Sequence, residues 1–590
     1  MSQRQRFRIT DFSGGLNPDQ HPLDIQPNQA QEILNFRLDK VGSLTTRRGW
    51  TELIEGGHSS TIQAIGRWTD GTDQSVVSQV LIKDSDGEIH RANWGAETFN
   101  ELLTGLSGSG ADAGVFTSGQ NILTYTNPTD GVVQYDGTEF KEVGIEAPVA
   151  APNLVVTSGD LDPGSYQVAY TYYDSTTQSE SNPSPVGDIG LMDPTGIRVD
   201  FVAPTDSRVT HYRIYRTVTE GVILLRAAEV DVSAVNYTLT SSDTLTLEAQ
   251  FDNNLPPVNF ERMAYVKGYW FGSRGNTIYW SKPFNVDAWP FDQNTQVPFE
   301  GNDVITALVP YQDTLLVFGR TNLVLVAGSG GLFSLIRQDT DLGTINQQTV
   351  TDVDGTLIFL SYQGLRTFPN YQVVAPQIDR VLAAGNFVDT RDSSVLHVPQ
   401  ERAVWVADRD RTYTIHLPTQ AVSAYTITGV RWLEGGRNGI AFPLFVPFDS
   451  GDILQYGGET DGGNPIVFRW ISKVFSLDNP EHVKAFRRIG AWATIGSEAT
   501  VTVTIADEMA EHVVPLQAVG DFSEIFWDQF NWDEANWTSE SAGYFIAALP
   551  ANTLLGRTLE IRVAGEADTF SQLIAPISLE YRESDRFLGV

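Results

Sequence analysis

An all-β fold is predicted for this 590-residue chain, and three observations predict it. Short runs of alternating apolar and polar residues, bounded by Gly, Asp or Asn, recur along most of its length. Aromatic side chains make up 11% of the residues, and 52 Gly and 28 Pro supply the turns that many short strands require. Successive sets of strands open at near-equal spacing. A hydrophobic share of 41% with 19% charged residues is that of a packed chain rather than a disordered one. The length calls for roughly three to five units.

Residues 1–57 are the exception and read as an N-terminal extended arm with a short helix. The stretch has a Gly pair (Gly14, Gly15), X-Pro breaks and one helical window, Gln29–Phe36. Asn28 is the expected N-cap of that window, its side-chain oxygen accepting a free N–H of the first turn. Ile33, Leu34 and Phe36 are too few to give this helix a buried face of its own, and "GSLTTRRGW" then returns to a strand pattern. The arm must therefore bury Ile33, Leu34, Phe36 and Trp50 on another surface, of this chain or of a neighbour.

Residues 58–147 hold two sets of four strands, beginning "IQAIGRW" and "AGVFTS". Within residues 251–464, further sets open at Val304, at Thr349 and near Val395, close to the ~40–45-residue period of a four-stranded propeller blade. The set opening at Ala113 and the strand near Phe260 stand too far apart for that period. Setting residues 148–250 aside as a separate domain restores it. The expected architecture is a β-propeller of about six to eight blades. The excised piece places Tyr166, Val168, Tyr170 and Tyr172 on one strand face and carries about seven short strands, as in an immunoglobulin- or fibronectin-like sandwich. Residues 465–590 read as a C-terminal β-sandwich or closing blade region, from the alternation in "TVTVTIADE" and "RTLEIRVAG". Trp527, Trp532 and Trp537 recur at five-residue steps, which fits neither a strand face nor a helix stripe and implies a structured loop. Three inward-folded rings covering the end of the C-terminal domain, a sugar-stacking surface and a protein interface all suit it.

Catalytic constellations are weak. The absence of cysteine excludes disulfides, thiolate metal sites and a Cys nucleophile, and fits folding in a reducing cytosol. The eight histidines are scattered without a pair at metal-ligand spacing. "DSDGE" (84–88) and "DVDGT" (352–356) hint at calcium, yet the twelfth position of each loop is Gly95 or Gln363 rather than Glu, so both read as Asp-Gly hairpin turns. Neither a G-x-S-x-G elbow nor a phosphate-binding P-loop occurs. No enzyme activity, cofactor or metal is expected. No apolar run approaches the ~18 residues of a membrane span, and Arg4, Arg6 and Arg8 precede no apolar segment of a secretory signal. A net charge of −34 argues against binding nucleic acid by neutralising phosphates.

The segments Gly14–Leu16, Leu34–Phe36 and Arg47–Gly49 resemble the opening of many tailed-bacteriophage structural proteins. "GSYQVAYTYYDS…VTHYRIYRT" is similar to a sandwich inserted in such proteins, and residues 276–328 with "DGTLIFLSYQGLRTF" to their propeller core. The family resembled is that of the tail nozzle (tail tubular protein B-like) proteins of short-tailed bacteriophages. The resemblance implies a structural virion protein, assembled in the host cytoplasm as a homo-oligomeric ring, hexameric by family likeness. Its implied partners are an adaptor ring and other tail proteins, with the host surface as a further contact. Viral DNA would pass through without specific binding during retention and ejection, and a negative channel suits that passage. Interface residues are then expected among Ile33, Leu34, Phe36, Arg47, Arg48 and Trp50 of the arm and Trp527, Trp532 and Trp537 of the loop. An arm folded back on its own propeller as a closure is the equal alternative for the first six. A receptor- or glycan-binding tail component, with or without hydrolase activity, is the alternative function.

Overall fold

The computed structural model describes residues 4–38, 43–70, 78–93, 95–107, 114–338, 341–384, 393–407, 410–429, 431–433, 442–477, 481–495, 500–506, 511–515, 541–548, 555–567 and 572–583. The chain is nearly all-β, divided into many small sheets; among the described residues the α-helix is the six-residue segment Asp379–Ala384.

Among the described residues, seven small antiparallel arrays follow one another. The first comprises β7 (Ile62–Trp68), β8 (Gln79–Asp84), β9 (Ile89–Asn93) and β10 (Thr98–Leu103). Its leading strand shows strict in–out burial, so the period-two pattern of "IQAIGRW" reports one face turned to a core. The leading strands then meet in series. Ile62–Trp68 lies against Val115–Gly119, that strand against Arg262–Val266, and that in turn against Ala307–Tyr311. Ala307–Tyr311 touches the 3-10 turn Gln347–Thr349 that leads into Val350–Val353. From there contact passes to Ser394–Val398, then to Arg431–Leu433, and back to Ile62–Trp68. The series closes on itself in a β-propeller-like arrangement.

Between the second and third arrays the chain leaves to form two facing sheets. One holds Asn153–Leu161, Thr195–Asp200 and Asn236–Leu239; the other is centred on Gly164–Asp174 and His211–Arg216. Tyr166, Val168, Ile197, Val199, Ile214 and Leu239 form a core between them.

The arm is not helical. Gln29–Leu34 is strand β3 and Phe36–Arg37 is β4, preceded by β1 (Gln5–Ile9) and β2 (Gly15–Leu16) and followed by β5 (Ser43–Thr46) and β6 (Trp50–Glu52). Gln-Ala-Gln-Glu-Ile-Leu is good helix-forming composition, but propensity is worth only tenths of a kcal/mol per residue and β3 is paired on both sides. Leu34 pairs in parallel with Ala424, while Ala30 to Leu34 pair with Ser472 to Arg469. Strand β3 thereby fuses the sixth array to Ile466–Ser472 and its neighbours in one ten-stranded sheet. Strand β1 pairs with Gln572–Glu583, as does β5, and β6 becomes the outer strand of the last array by pairing with Leu454–Tyr456. Ile9, Phe12, Leu16, Ile33, Phe36 and Leu44 enter the core shared with the C-terminal sheets, where burying each large side chain is worth about 1.5–3 kcal/mol.

Candidate functional site

The three arm segments singled out in the sequence converge on one seam. Asn35 links β3 to β4 in a left-handed conformation (φ 60°), which Asn tolerates better than most residues. This turns its side chain toward the propeller. Its Nδ2 donates to the Val467 carbonyl at 2.6 Å, and its Oδ1 accepts from the Thr426 amide at 2.8 Å and from Arg47 Nε at 2.8 Å. Arg47 is 1% exposed and spends its donors on this site. Its two terminal nitrogens clasp Asp461 at 2.7 and 2.6 Å, with Thr426 Oγ1 at 3.0 Å and the Arg48 carbonyl at 2.9 Å. A planar guanidinium in a bidentate grip fixes orientation as well as distance.

Gly49 and Gly15 are required by close approach. A Cβ on Gly49 would collide with the Thr460 carbonyl, and one on Gly15 (φ +69°) with the Val422 amide. Ile33 and Phe36 are buried, the latter against Phe468 with ring centroids 5.0 Å apart. Leu34 is half-buried and packs on the same core. Arg48 lies over the Phe442 ring at 5.0 Å, and its amide donates to Tyr456 Oη at 3.1 Å. Trp50 packs, partly buried, on the cluster around Trp405 and Tyr456. The structure thus brings all six arm residues together, inside this chain, with Ile33, Phe36 and Arg47 enclosed by its own sheets. Trp527, Trp532 and Trp537 lie outside the described residues.

Beneath the seam Glu401 is buried, accepting from Tyr456 Oη at 2.5 Å and Tyr425 Oη at 3.3 Å. Burial pushes its carboxyl above the usual range, against the pull of those hydroxyls and of Arg37. Burial, followed by the charge of Glu401, drives both phenols well above theirs.

A second hub anchors the two facing sheets that lie between Asn153 and Leu239. Asp287, from the third array, accepts from Gln134 Nε2, the Gly144 amide and Ser179 Oγ, each at 2.6 Å, and from Arg208 at 3.2 Å. Arg208 also grips Asp206 at 2.7 Å and the Gly144 carbonyl at 2.5 Å. Beside it opens a cleft of about 580 Å³, lined by Glu146, Val149, Tyr172, Val202, Asp206 and Leu255 among others. More than half of the exposed large apolar side chains among the described residues fall between Val149 and Leu255. Val149, Met192, Val222 and Val235 are the most open of these.

Sequence reasoning passed over one further constellation. His58, Asp84 and His90 meet, with their nearest donor atoms all within 4.8 Å of one another. Their positions fall on the β6–β7 connector and the β8–β9 hairpin, so only the fold brings them together. The alternating Asp84, Glu88 and His90 of the hairpin were the available signal.

No family model matches the chain, and no curated protein matches it. Among solved structures it is similar to YCF48 from Cyanidioschyzon merolae, at 10% identity over 69% of this chain and 98% of that one, with a TM-score of 0.24. A likeness that low carries no argument about function.

Proposed function

We infer that this chain is a non-enzymatic subunit of a phage-tail ring of the nozzle type, through which DNA passes during retention and ejection. In this reading the closed series is a seven-bladed propeller, carrying an inserted immunoglobulin- or fibronectin-like sandwich and a C-terminal β-domain. The observation that carries it is the seam. Gly14–Leu16, Leu34–Phe36 and Arg47–Gly49 carry the resemblance to tail proteins, and each has a specific task there: close approach at Gly15 and Gly49, the turn at Asn35, the clamp at Arg47. A subunit whose arm is woven into sheets built from residues far away in sequence presents a rigid unit to its neighbours, as a ring under internal pressure requires. The many exposed apolar side chains between Val149 and Leu255 offer contacts for adjacent subunits or an adaptor ring. The net charge of −34 disfavours adhesion to passing phosphates.

Native mass spectrometry and negative-stain imaging of the purified chain test this reading. Rings with an open axis, hexameric by family likeness, are expected. A chain that stays monomeric at high concentration overturns it, and compact trimers that bind glycans would establish the receptor-binding alternative.

A further inference from the structure

We propose that His58, Asp84 and His90 form a three-ligand site for a divalent transition-metal cation of the zinc class. The His90 Nε2 atom lies 3.2 Å from Asp84 Oδ2 and 3.1 Å from Glu88 Oε2, and His58 Nε2 lies 3.7 Å from the same Asp84 oxygen. Donors at the corners of a tetrahedron with bonds of 2.0–2.1 Å stand about 3.3 Å apart, and the spacings of Asp84 to the two imidazoles are close to this, with all three donors within 4.8 Å of one another. Two imidazoles with a carboxylate select zinc-like ions over calcium or magnesium, which take oxygen ligands.

Hydrogen bonding alone does not account for the cluster. Asp84 is fully buried, and its Oδ1 is engaged by the amides of Asp86 at 3.0 Å and Glu88 at 2.9 Å. Its Oδ2 faces the two imidazoles. A neutral His90 ring brings one Nε2 proton to two carboxylate oxygens, while its own Nδ1 is buried without a partner among the described residues. His58 Nδ1 lies 3.2 Å from both the amide and the carbonyl of Ser60; with its proton on Nδ1 toward the carbonyl the ring has the outer support of a ligand and leaves Nε2 free for the ion. The neighbouring cation, Lys83, attracts Asp84 by its charge and donates its ammonium to Gln63 at 2.6 Å.

The position gives the ion a task. His58 lies between β6, which completes the last array, and β7, which begins the first; its amide donates to the Gly451 carbonyl of the last array at 2.8 Å. Asp84, Glu88 and His90 belong to the β8–β9 hairpin of the first. An ion at this site staples the connector across the closure of the ring, independently of any role in a virion.

The test uses the full-length chain, stripped with a chelator and desalted. Titration with Co²⁺ is expected to give the intense visible bands of a tetrahedral complex, displaced by one equivalent of Zn²⁺, and Zn²⁺ should raise the thermal midpoint. His58→Ala, a change on a connector, should fold, lose these bands and weaken Zn²⁺ binding by roughly tenfold or more. A wild-type Co²⁺ spectrum that remains that of the hydrated ion overturns the proposal even if the variant fails to fold. Equal Zn²⁺ binding and equal midpoint shifts in wild type and His58→Ala overturn it as well.

Discussion

The arm and the inserted sandwich are both additions to the same closed series of sheets, and they are held in opposite ways. The arm is woven in by backbone pairing: β3 lies inside a ten-stranded sheet, β6 completes an array, and β1 and β5 pair with Gln572–Glu583. Its apolar side chains enter a core common to several elements. The sandwich has a core of its own and touches the propeller through a polar hub at Asp287. Removing a woven strand strips hydrogen-bond partners from both neighbours, whereas removing a docked unit leaves its host largely paired. Position in the chain says nothing of this difference; the strand pairing does.

Deleting residues 1–52 breaks the comparison most severely. The prediction is loss of cooperative folding, because the last array loses its outer strand and the ten-stranded sheet is cut. Calorimetry and near-ultraviolet circular dichroism would check it, and a truncated chain melting within a few degrees of the parent would return the arm to a docking role. Deleting residues 148–250 with a short Gly/Ser bridge should instead leave one cooperative transition for the remainder, and the excised segment should melt cooperatively by itself.

Single substitutions sharpen the contrast. Arg47→Ala strands Asp461 and Asn35 at the seam, and breaking such a buried pair costs about 3–5 kcal/mol. Urea denaturation of the whole chain should read it, at the lower end because Asp461 is partly exposed. Arg208→Ala removes a more deeply buried pair, with Asp287, but its effect should be local. Faster hydrogen exchange across residues 148–250 is expected, with little movement of the global midpoint. A large global loss from Arg208→Ala would mean that the sandwich is woven in after all.

The smallest expected effect is a difference in the sign of pH dependence. Burial raises the Asp206 carboxyl, but its bonds with Arg208 outweigh this and hold it below the usual range. A depressed carboxyl stabilises above its unfolded pKa of about 3.9, and that contribution is lost as pH falls through the folded value. Glu401 is raised by burial, so its contribution is full below the unfolded pKa of about 4.3 and is lost as pH rises through the folded value. Acidification should therefore loosen the hub of the sandwich while favouring the seam. At neutral pH, Asp206→Asn should lower stability and Glu401→Gln should leave it unchanged or raise it, as denaturation midpoints at two pH values would show.

Much of the all-β character was legible because half-buried strands write their burial into the sequence: Ile62, Ala64, Gly66 and Trp68 alternate with Gln63, Ile65 and Arg67, and the structure buries the first set. Strand β3 was not legible, since beyond the short pairing with Gly15–Leu16 its partners are Ala424 and Ser472–Arg469, and no window of neighbours contains those. Local composition then pointed to a helix. Arg47 could be picked out as part of a motif, yet its role depends on Asp461, more than four hundred residues away. His58 and His90 failed the spacing test for metal ligands for the same reason. A spacing rule sees one element, and these two stand on different ones.

Strand β1 begins at Gln5 and pairs with Gln572–Glu583, so β1 waits for a strand made much later. At about 5–20 residues per second, translation separates them by roughly half a minute to two minutes. Throughout that interval β1 has unpaired backbone edges, the condition under which nascent chains stick to one another. The β1 pairing therefore forms only once Gln572–Glu583 has been made, while the two facing sheets, whose strands all lie within about a hundred residues, are free to fold as they emerge. Any assembly that requires this pairing is thereby gated by synthesis of Gln572–Glu583, and copies terminated before it are kept out.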